Sequence, residues 1–255
     1  MTVTDRTATK RVPMSSTRKT AFVAGLLYLI TFVSIPTLGL YSGVRGANFV
    51  TGPGPDTPVF IGGLLEMIVA LACIGTAVAL YPVVKRQNKG VALGFVGARV
   101  LEAAGISGGV ATLLTIVTLR QSGAGADALV TSQALVGLHD WIFTLSQTLM
   151  PAVNALLLGS LLYQSRLVPR ALPLLGLIGA PLLLASTIAT LLGVNDYGSP
   201  LSGLAALPIA VWEFSLGVYL VVKGFKPSPI TAGMVAAATS PADRDASPAC
   251  HAACP

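Results

Sequence analysis

The sequence predicts an all-α fold: a polytopic bundle of six transmembrane helices with both termini on the cytoplasmic side. Three observations predict it. Hydrophobic residues make up 53% of the 255-residue chain and charged residues only 10%, against about 25% charged in soluble domains, so the chain lacks the polar surface that water demands. The apolar residues fall into six runs with short connections, each meeting the roughly 20 residues needed to cross the hydrocarbon core. Lysine and arginine are abundant in alternate connections and scarce in the others, the pattern of a chain that keeps positive charge cytoplasmic. Length alone would allow one or two domains; the runs assign one membrane domain over 20–222.

Residues 1–19 are polar and basic, with Arg6, Lys10, Arg11, Arg18 and Lys19, and read as a disordered lead. A basic lead before an apolar run can also open a signal peptide. The run at 20–40 is longer than a signal core and has no clear small-x-small cleavage site, so it reads as a retained first helix. The remaining helices are expected at 59–84, 91–119, 135–163, 171–193 and 203–222. Helix is the default because a span must satisfy its own backbone. Pro36, Pro151, Pro173, Pro181 and Pro208 fall in or near these runs, and Pro151, mid-run, predicts a kink in the fourth helix. The connections carry Arg45 and Asp56, then Lys85, Arg86 and Lys89, then Arg120 and Asp127, then Arg166 and Arg170, then Asp196 alone. The lead, the second and fourth connections and the tail hold thirteen lysines and arginines, whereas the first, third and fifth connections hold two. That asymmetry sets both termini inside. Tyr41, Trp141 and Tyr197 then mark the outer boundary, and Tyr81, Tyr163 and Tyr219 the inner one. Residues 223–255 begin with Lys223 and Lys226, turn rich in Ala, Ser and Pro from Pro227, and read as a disordered cytoplasmic tail.

The net charge of +6 is explained by this topology. No basic stripe with interleaved aromatics accompanies it, so nucleic acid is not an expected partner. Cys73 lies inside an apolar run. Cys250, His251 and Cys254 are potential zinc ligands, but they sit in the tail without folded context, so no metal and no cofactor is expected; nor are disulfides expected on the cytoplasmic side. The chain has no Walker A loop, GxGxxG, HExxH, GxSxG or CxxC, which excludes recognisable ATPases, zinc proteases and serine hydrolases.

Charges inside a bilayer cost a few kcal/mol each even on lenient scales, yet several are kept. Glu66 falls in the second helix, Arg99 and Glu102 in the third, His139 and Asp140 at the outer end of the fourth, and Glu213 in the sixth. Topology puts Glu66 and Asp140 in the outer half and Glu102 and Glu213 near mid-depth. Arg99 and Glu102 are three apart and share a helix face. Asp140, Thr144, Gln147, Pro151 and Asn154 form one stripe with helical spacing, which should face the bundle interior. Together these residues predict an internal polar cluster open toward the outer half. Structural glue is the competing explanation, most of all for Gln147 and Asn154. The third helix is lined with Gly94, Gly97, Gly105, Gly108 and Gly109, which suits close packing. Odd helices open on a basic residue followed by glycine, and Glu66, Asp140 and Glu213 recur at 74 and 73 residues; three helical hairpins would account for both.

Several segments in order (16–25 STRKTAFVAG, 80–88 LYPVVKRQN, 139–141 HDW, 154–159 NALLLG, 162–170 LYQSRLVPR, 212–213 WE and 223–228 KGFKPS) resemble a bacterial membrane-protein family known as domain of unknown function 4386, over about residues 15–230. The resemblance implies a six-helix protein of the bacterial cytoplasmic (inner) membrane and no activity. Where a Gly-Pro-Gly-like stretch is expected in the fourth helix, this chain has Ser146-Gln-Thr-Leu-Met-Pro151, which puts the local kink in doubt.

Two function classes follow from the buried charges. The first is binding or transport of a small cation, solute or amphiphile by Glu66, Arg99, Glu102, His139, Asp140, Gln147, Asn154 and Glu213, with a homodimer where six helices are too few. The second is an intramembrane enzyme on a lipid or isoprenoid. There a buried carboxyl of Glu66, Glu102 or Glu213 acts as general acid, Asp140 beside His139 acts as base, and Phe143, Trp212 and Phe214 line the pocket. An accessory or scaffold protein is the third reading.

Overall fold

A computed structural model describes residues 15–232, which are helical with no strand among them. Six helices among them are long and apolar enough to cross a membrane: α1 Ser16–Leu40, α2 Thr57–Val84, α3 Lys89–Gln121, α4 Gly125–Ser165, α5 Ala171–Leu191 and α6 Pro200–Val222. Most begin earlier than hydropathy alone sets them. At α1, α3 and α6 the reason is capping: the hydroxyl of Ser15 accepts from the Arg18 N–H, the Asn88 side chain from Val91 N–H, and the Ser199 hydroxyl from Ser202 N–H. Each satisfies an otherwise orphaned donor of the first turn.

Two ends of the expected layout therefore change. Ser16–Lys19 belong to α1, not to a disordered lead. The Arg18 guanidinium donates to the carbonyls of Leu220 and Val221 at 2.9 and 2.6 Å, closing the C-terminus of α6. Beyond α6 the chain stays packed through 232: Lys226 N–H donates to Leu167 O and the Ser228 hydroxyl to Ser165 O. The expected lead over 1–14 and the tail over 233–255, with Cys250, His251 and Cys254, lie outside the described residues.

Consecutive helices pack against one another, and α6 returns to pack on α1, so the bundle closes into a ring. Its surface is the inverse of a water-soluble protein's. Leu64, Leu71 and Val78, seven apart on α2, are 63–67% exposed, while Glu66 and Arg99 are 1% exposed. That arrangement suits a lipid surround, in which polar groups must find partners inside. Small residues set the closest crossings: a Cβ on Gly25 would lie 2.6 Å from Gly217 O, and one on Gly176 would lie 2.5 Å from the Trp212 ring. Tyr28, Leu80, Phe95, Leu158, Leu162, Trp212 and Leu220 build an apolar core at one end of the bundle. The same end carries Lys85, Arg86, Arg166 and Lys223 and is the basic end of the molecule.

Two helices are irregular where they leave that core. In α1 the helix tightens to a 3-10 turn at Thr31–Ser34 before Pro36. Hydroxyls of Thr31, Ser34 and Thr37 bond back to the carbonyls of Tyr28, Thr31 and Ser34. In α4 the kink expected at Pro151 takes another form. A π-helical turn spans Thr144–Leu149, and a fresh α segment starts at Met150. Pro151 cannot donate to the preceding turn, and widening that turn absorbs the defect. Such turns frequently mark functional sites.

Candidate functional site

The eight residues singled out from sequence do not form one cluster. They separate into two centres along the bundle, and Gln147 stands between them.

The deeper centre lies just beyond the apolar core. Arg99 of α3 pairs with Glu102 Oε2 at 3.0 Å and with Glu213 Oε1 of α6 at 3.0 Å. Its guanidinium also reaches Cys73 Sγ at 3.5 Å and sits over the Tyr28 and Phe95 rings at 4.9 and 5.9 Å. Asn154 of α4 donates to Glu102 Oε2 at 2.7 Å. Five helices are thus tied through one guanidinium and its acids. Arg99, Glu102 and Glu213 border a cavity of about 240 Å³, which Gln147, Leu183 and Ala206 also line.

The second centre lies toward the opposite end, around a cavity of about 580 Å³. Thr37 and Tyr41 line it from the first helix and the loop after it, Glu66 from α2, His139, Phe143, Thr144 and Gln147 from α4, Leu183, Ser186 and Thr187 from α5, and Ser202 and Ala206 from α6. Arg45, Tyr197 and Ser199 line it from the loops, so it opens at the end away from the basic one. Gln147, Leu183 and Ala206 border both cavities.

Local sequence explains the placements. Gly62 leaves room for Tyr41, since a Cβ there would fall 2.4 Å from the ring. The Tyr41 hydroxyl consequently donates to Glu66 Oε2 at 3.2 Å. Gly105 and Gly109, the GxxxG pair of α3, face α4: a Cβ on Gly105 would lie 2.2 Å from Ser146 Cβ, and one on Gly109 lies 3.5 Å from His139. They seat the π turn and the imidazole. Ser186, Asn195, Ser199 and Ser202 hydrogen-bond among themselves on the wall formed by α5 and α6.

Asp140 is not a free base. Arg45 grips both of its oxygens, one contact being 2.9 Å, and His139 Nδ1 approaches at 3.4 Å. The same guanidinium lies 5.1 Å from the Tyr197 ring centroid. The hydrogen bond to Asp140 pushes the Arg45 guanidinium further above its ordinary range. Burial, and then the Asp140 charge, push the Tyr197 phenol up to about 12. Burial and Glu66 push the Tyr41 phenol above its ordinary range. At the same end Arg120 pairs with Asp56 and stacks 4.3 Å from the Phe49 ring, while Gln121 donates to Asp56 at 2.9 Å. Burial opposes charge on Asp56, but these hydrogen bonds and the Arg120 charge outweigh it and hold the carboxyl below the usual range.

Among the described residues, then, Asp56, Glu102, Asp140 and Glu213 each have an arginine, and Asp127 and Asp196 are exposed. Glu66 is the one acid that is buried without an ion-pair partner. Arg45, Tyr41 and Tyr197 carry part of this site although sequence reasoning treated them only as loop and boundary residues. Of the expected aromatic lining, Phe143 faces the cavity, Trp212 is buried on Gly176, and Phe214 is half exposed against Phe32 at 5.4 Å. No group of three metal-binding side chains occurs among the described residues.

Comparison with curated proteins and with solved structures returned no match. A family model does match, over residues 23–224, most of the chain and nearly the whole helical bundle just described. The chain belongs to the family described as a domain of unknown function, DUF4386.

Proposed function

We propose that this multi-pass membrane protein binds a small solute in the cavity lined by Glu66 and conducts it along the bundle. One observation carries the reading: Glu66 is buried and unpaired at the wall of a 580 Å³ cavity. A buried carboxylate without an ion-pair partner is costly, and a scaffold has no use for one when, among the described residues, every other buried acid has an arginine. The cavity volume falls in the range of about 300–1,000 Å³ common for small-molecule sites. The smaller cavity shares Gln147, Leu183 and Ala206 with it, and that common wall supports passage from one cavity to the other.

The charge distribution supports an orientation with both termini in the cytoplasm. Among the described residues, the two arginines at the end away from the basic one are neutralised, Arg45 by Asp140 and Arg120 by Asp56, which fits the asymmetry of charge. The cavity then opens away from the cytoplasm. The Arg99 centre serves as the lock that holds the helices together. An enzymatic role draws less support, because Arg45 engages the acid proposed as its base.

The test is native mass spectrometry of the purified full-length protein, wild type against Gly203→Phe. Gly203 borders the cavity and a Cβ there would meet nothing within 4 Å, so the phenyl group adds bulk at the cavity rim without a clash at the helix. A small molecule retained by the wild type and lost from Gly203→Phe is expected. Identical spectra sink the reading.

A further inference from the structure

We infer that the solute is a monovalent organic cation, an ammonium group on an apolar body, whose charge Glu66 receives. The inference rests on the binding reading above and adds the chemical class.

The charge follows from pairing. Arg45 is the arginine at the cavity mouth, and both terminal nitrogens of its guanidinium donate to Asp140, which neutralises its charge. Glu66 accepts a hydrogen bond from Tyr41, has Gln147 and His139 as its other polar neighbours, and has no arginine or lysine within ion-pair distance among the described residues. A neutral solute would leave that carboxylate uncompensated and an anion would worsen it. A dication would bring one charge more than the single unpaired carboxylate can match.

The wall argues for an organic cation over a metal ion. Tyr41, His139, Phe143 and Tyr197 run along one side, with centroids 6.0, 6.4 and 5.9 Å apart in turn. Aromatic faces attract cations and suit ammonium groups that shed few waters. Arg45 already lies over Tyr197 in this way, so the wall holds a guanidinium of the chain itself. Leu38, Leu183 and Ala206 offer apolar surface for the body of the solute. A hard metal ion instead needs several oxygen ligands converging within about 2.6 Å, and one carboxylate beside a phenol that donates to it does not supply them.

The probe is radiolabelled benzyltrimethylammonium, in equilibrium dialysis against the full-length protein in lipid nanodiscs, with neopentylbenzene, its uncharged carbon isostere, as competitor. Saturable binding is expected, at least tenfold weaker in Glu66→Gln and absent in Gly203→Phe, with the isostere competing at least tenfold less well. An isostere that competes equally, or a Glu66→Gln protein that binds unchanged, overturns the charge assignment. The comparison of the two probes on the wild type needs no variant to fold. If the probe does not bind while a cavity-dependent molecule is still found by mass spectrometry, the cation class fails and the binding reading stands. If neither is found, both fall.

Discussion

Replacing Arg99 by methionine should destabilise the protein strongly, and replacing the whole centre should not. Each of the two 3.0 Å contacts from Arg99 is worth about 5.5 kcal/mol at an effective dielectric of about 20, about 11 kcal/mol together. Against that stand desolvation of three ions at several kcal/mol each and the repulsion between Glu102 and Glu213, so the net contribution is small. Arg99→Met removes the attraction but leaves Glu102 and Glu213 buried side by side, and loses the stacking on Tyr28. The expected cost is about 3–5 kcal/mol, or a midpoint lowered by about 6–20 °C for a chain of this size. Arg99→Met/Glu102→Gln/Glu213→Gln keeps the volumes and keeps an acceptor for Asn154 while removing every charge; it should fall within about 1 kcal/mol of wild type or above it. Thermal unfolding in one fixed detergent measures all three proteins. A triple variant as unstable as Arg99→Met would refute the reasoning, because the loss could not then come from uncompensated charge. The triple variant should also retain probe binding, since its changes lie in the deeper centre.

Gly62→Ala should push the Tyr41 ring off Glu66, lowering stability by about 1–2 kcal/mol and weakening probe binding; unfolding and dialysis measure the two effects. Arg45 and Asp140 are about a quarter exposed, so a double-mutant cycle with Arg45→Ala and Asp140→Ala should give a coupling of no more than about 1 kcal/mol. Asp56 has a folded pKa below its unfolded value, so its contribution is complete above the unfolded value near about 3.9 and is lost as pH falls through the folded one. Hydrogen exchange around the start of α2 should therefore accelerate below about pH 4 in wild type, and Asp56→Asn should remove that acid-dependent part.

The spans were legible because the bilayer imposes their length and excludes charge from their outer faces; Leu64, Leu71 and Val78 carry that signal plainly. Their starts were less legible because hydropathy weighs side chains while Ser15, Asn88 and Ser199 act through backbone donors. The pairing of Arg99 with Glu102 was legible from spacing on one helix. Its pairing with Glu213 depends on which helices meet at that depth, and a ring closed by α6 on α1 is not written in periodicity. The π turn left only an indirect trace, a proline mid-run with no glycine beside it. Arg45 was read as a loop charge because a lone arginine in a Gly- and Pro-rich connection ordinarily faces water. The signal that could have found it was its position: a cation on the side otherwise poor in cations, level with the outward acid Asp140.

If Glu66 awaits a cation, the chain can be made to supply one. Gln147 lies beside Glu66 and between the two cavities, so Gln147→Lys brings an ammonium on a flexible stem to the unpaired carboxylate. In the wild-type background the new pair should offset the cost of burying the lysine, leaving stability near wild type and abolishing probe binding by occupying the site. In a Glu66→Gln background the same lysine has no partner and should destabilise further. A double-mutant cycle combining Gln147→Lys with Glu66→Gln should therefore give a favourable coupling between the introduced ammonium and the Glu66 carboxylate of about 1–3 kcal/mol. A lysine equally costly in both backgrounds would mean that the Glu66 carboxyl does not receive charge, and the cation assignment would lose its basis without any ligand having been tried.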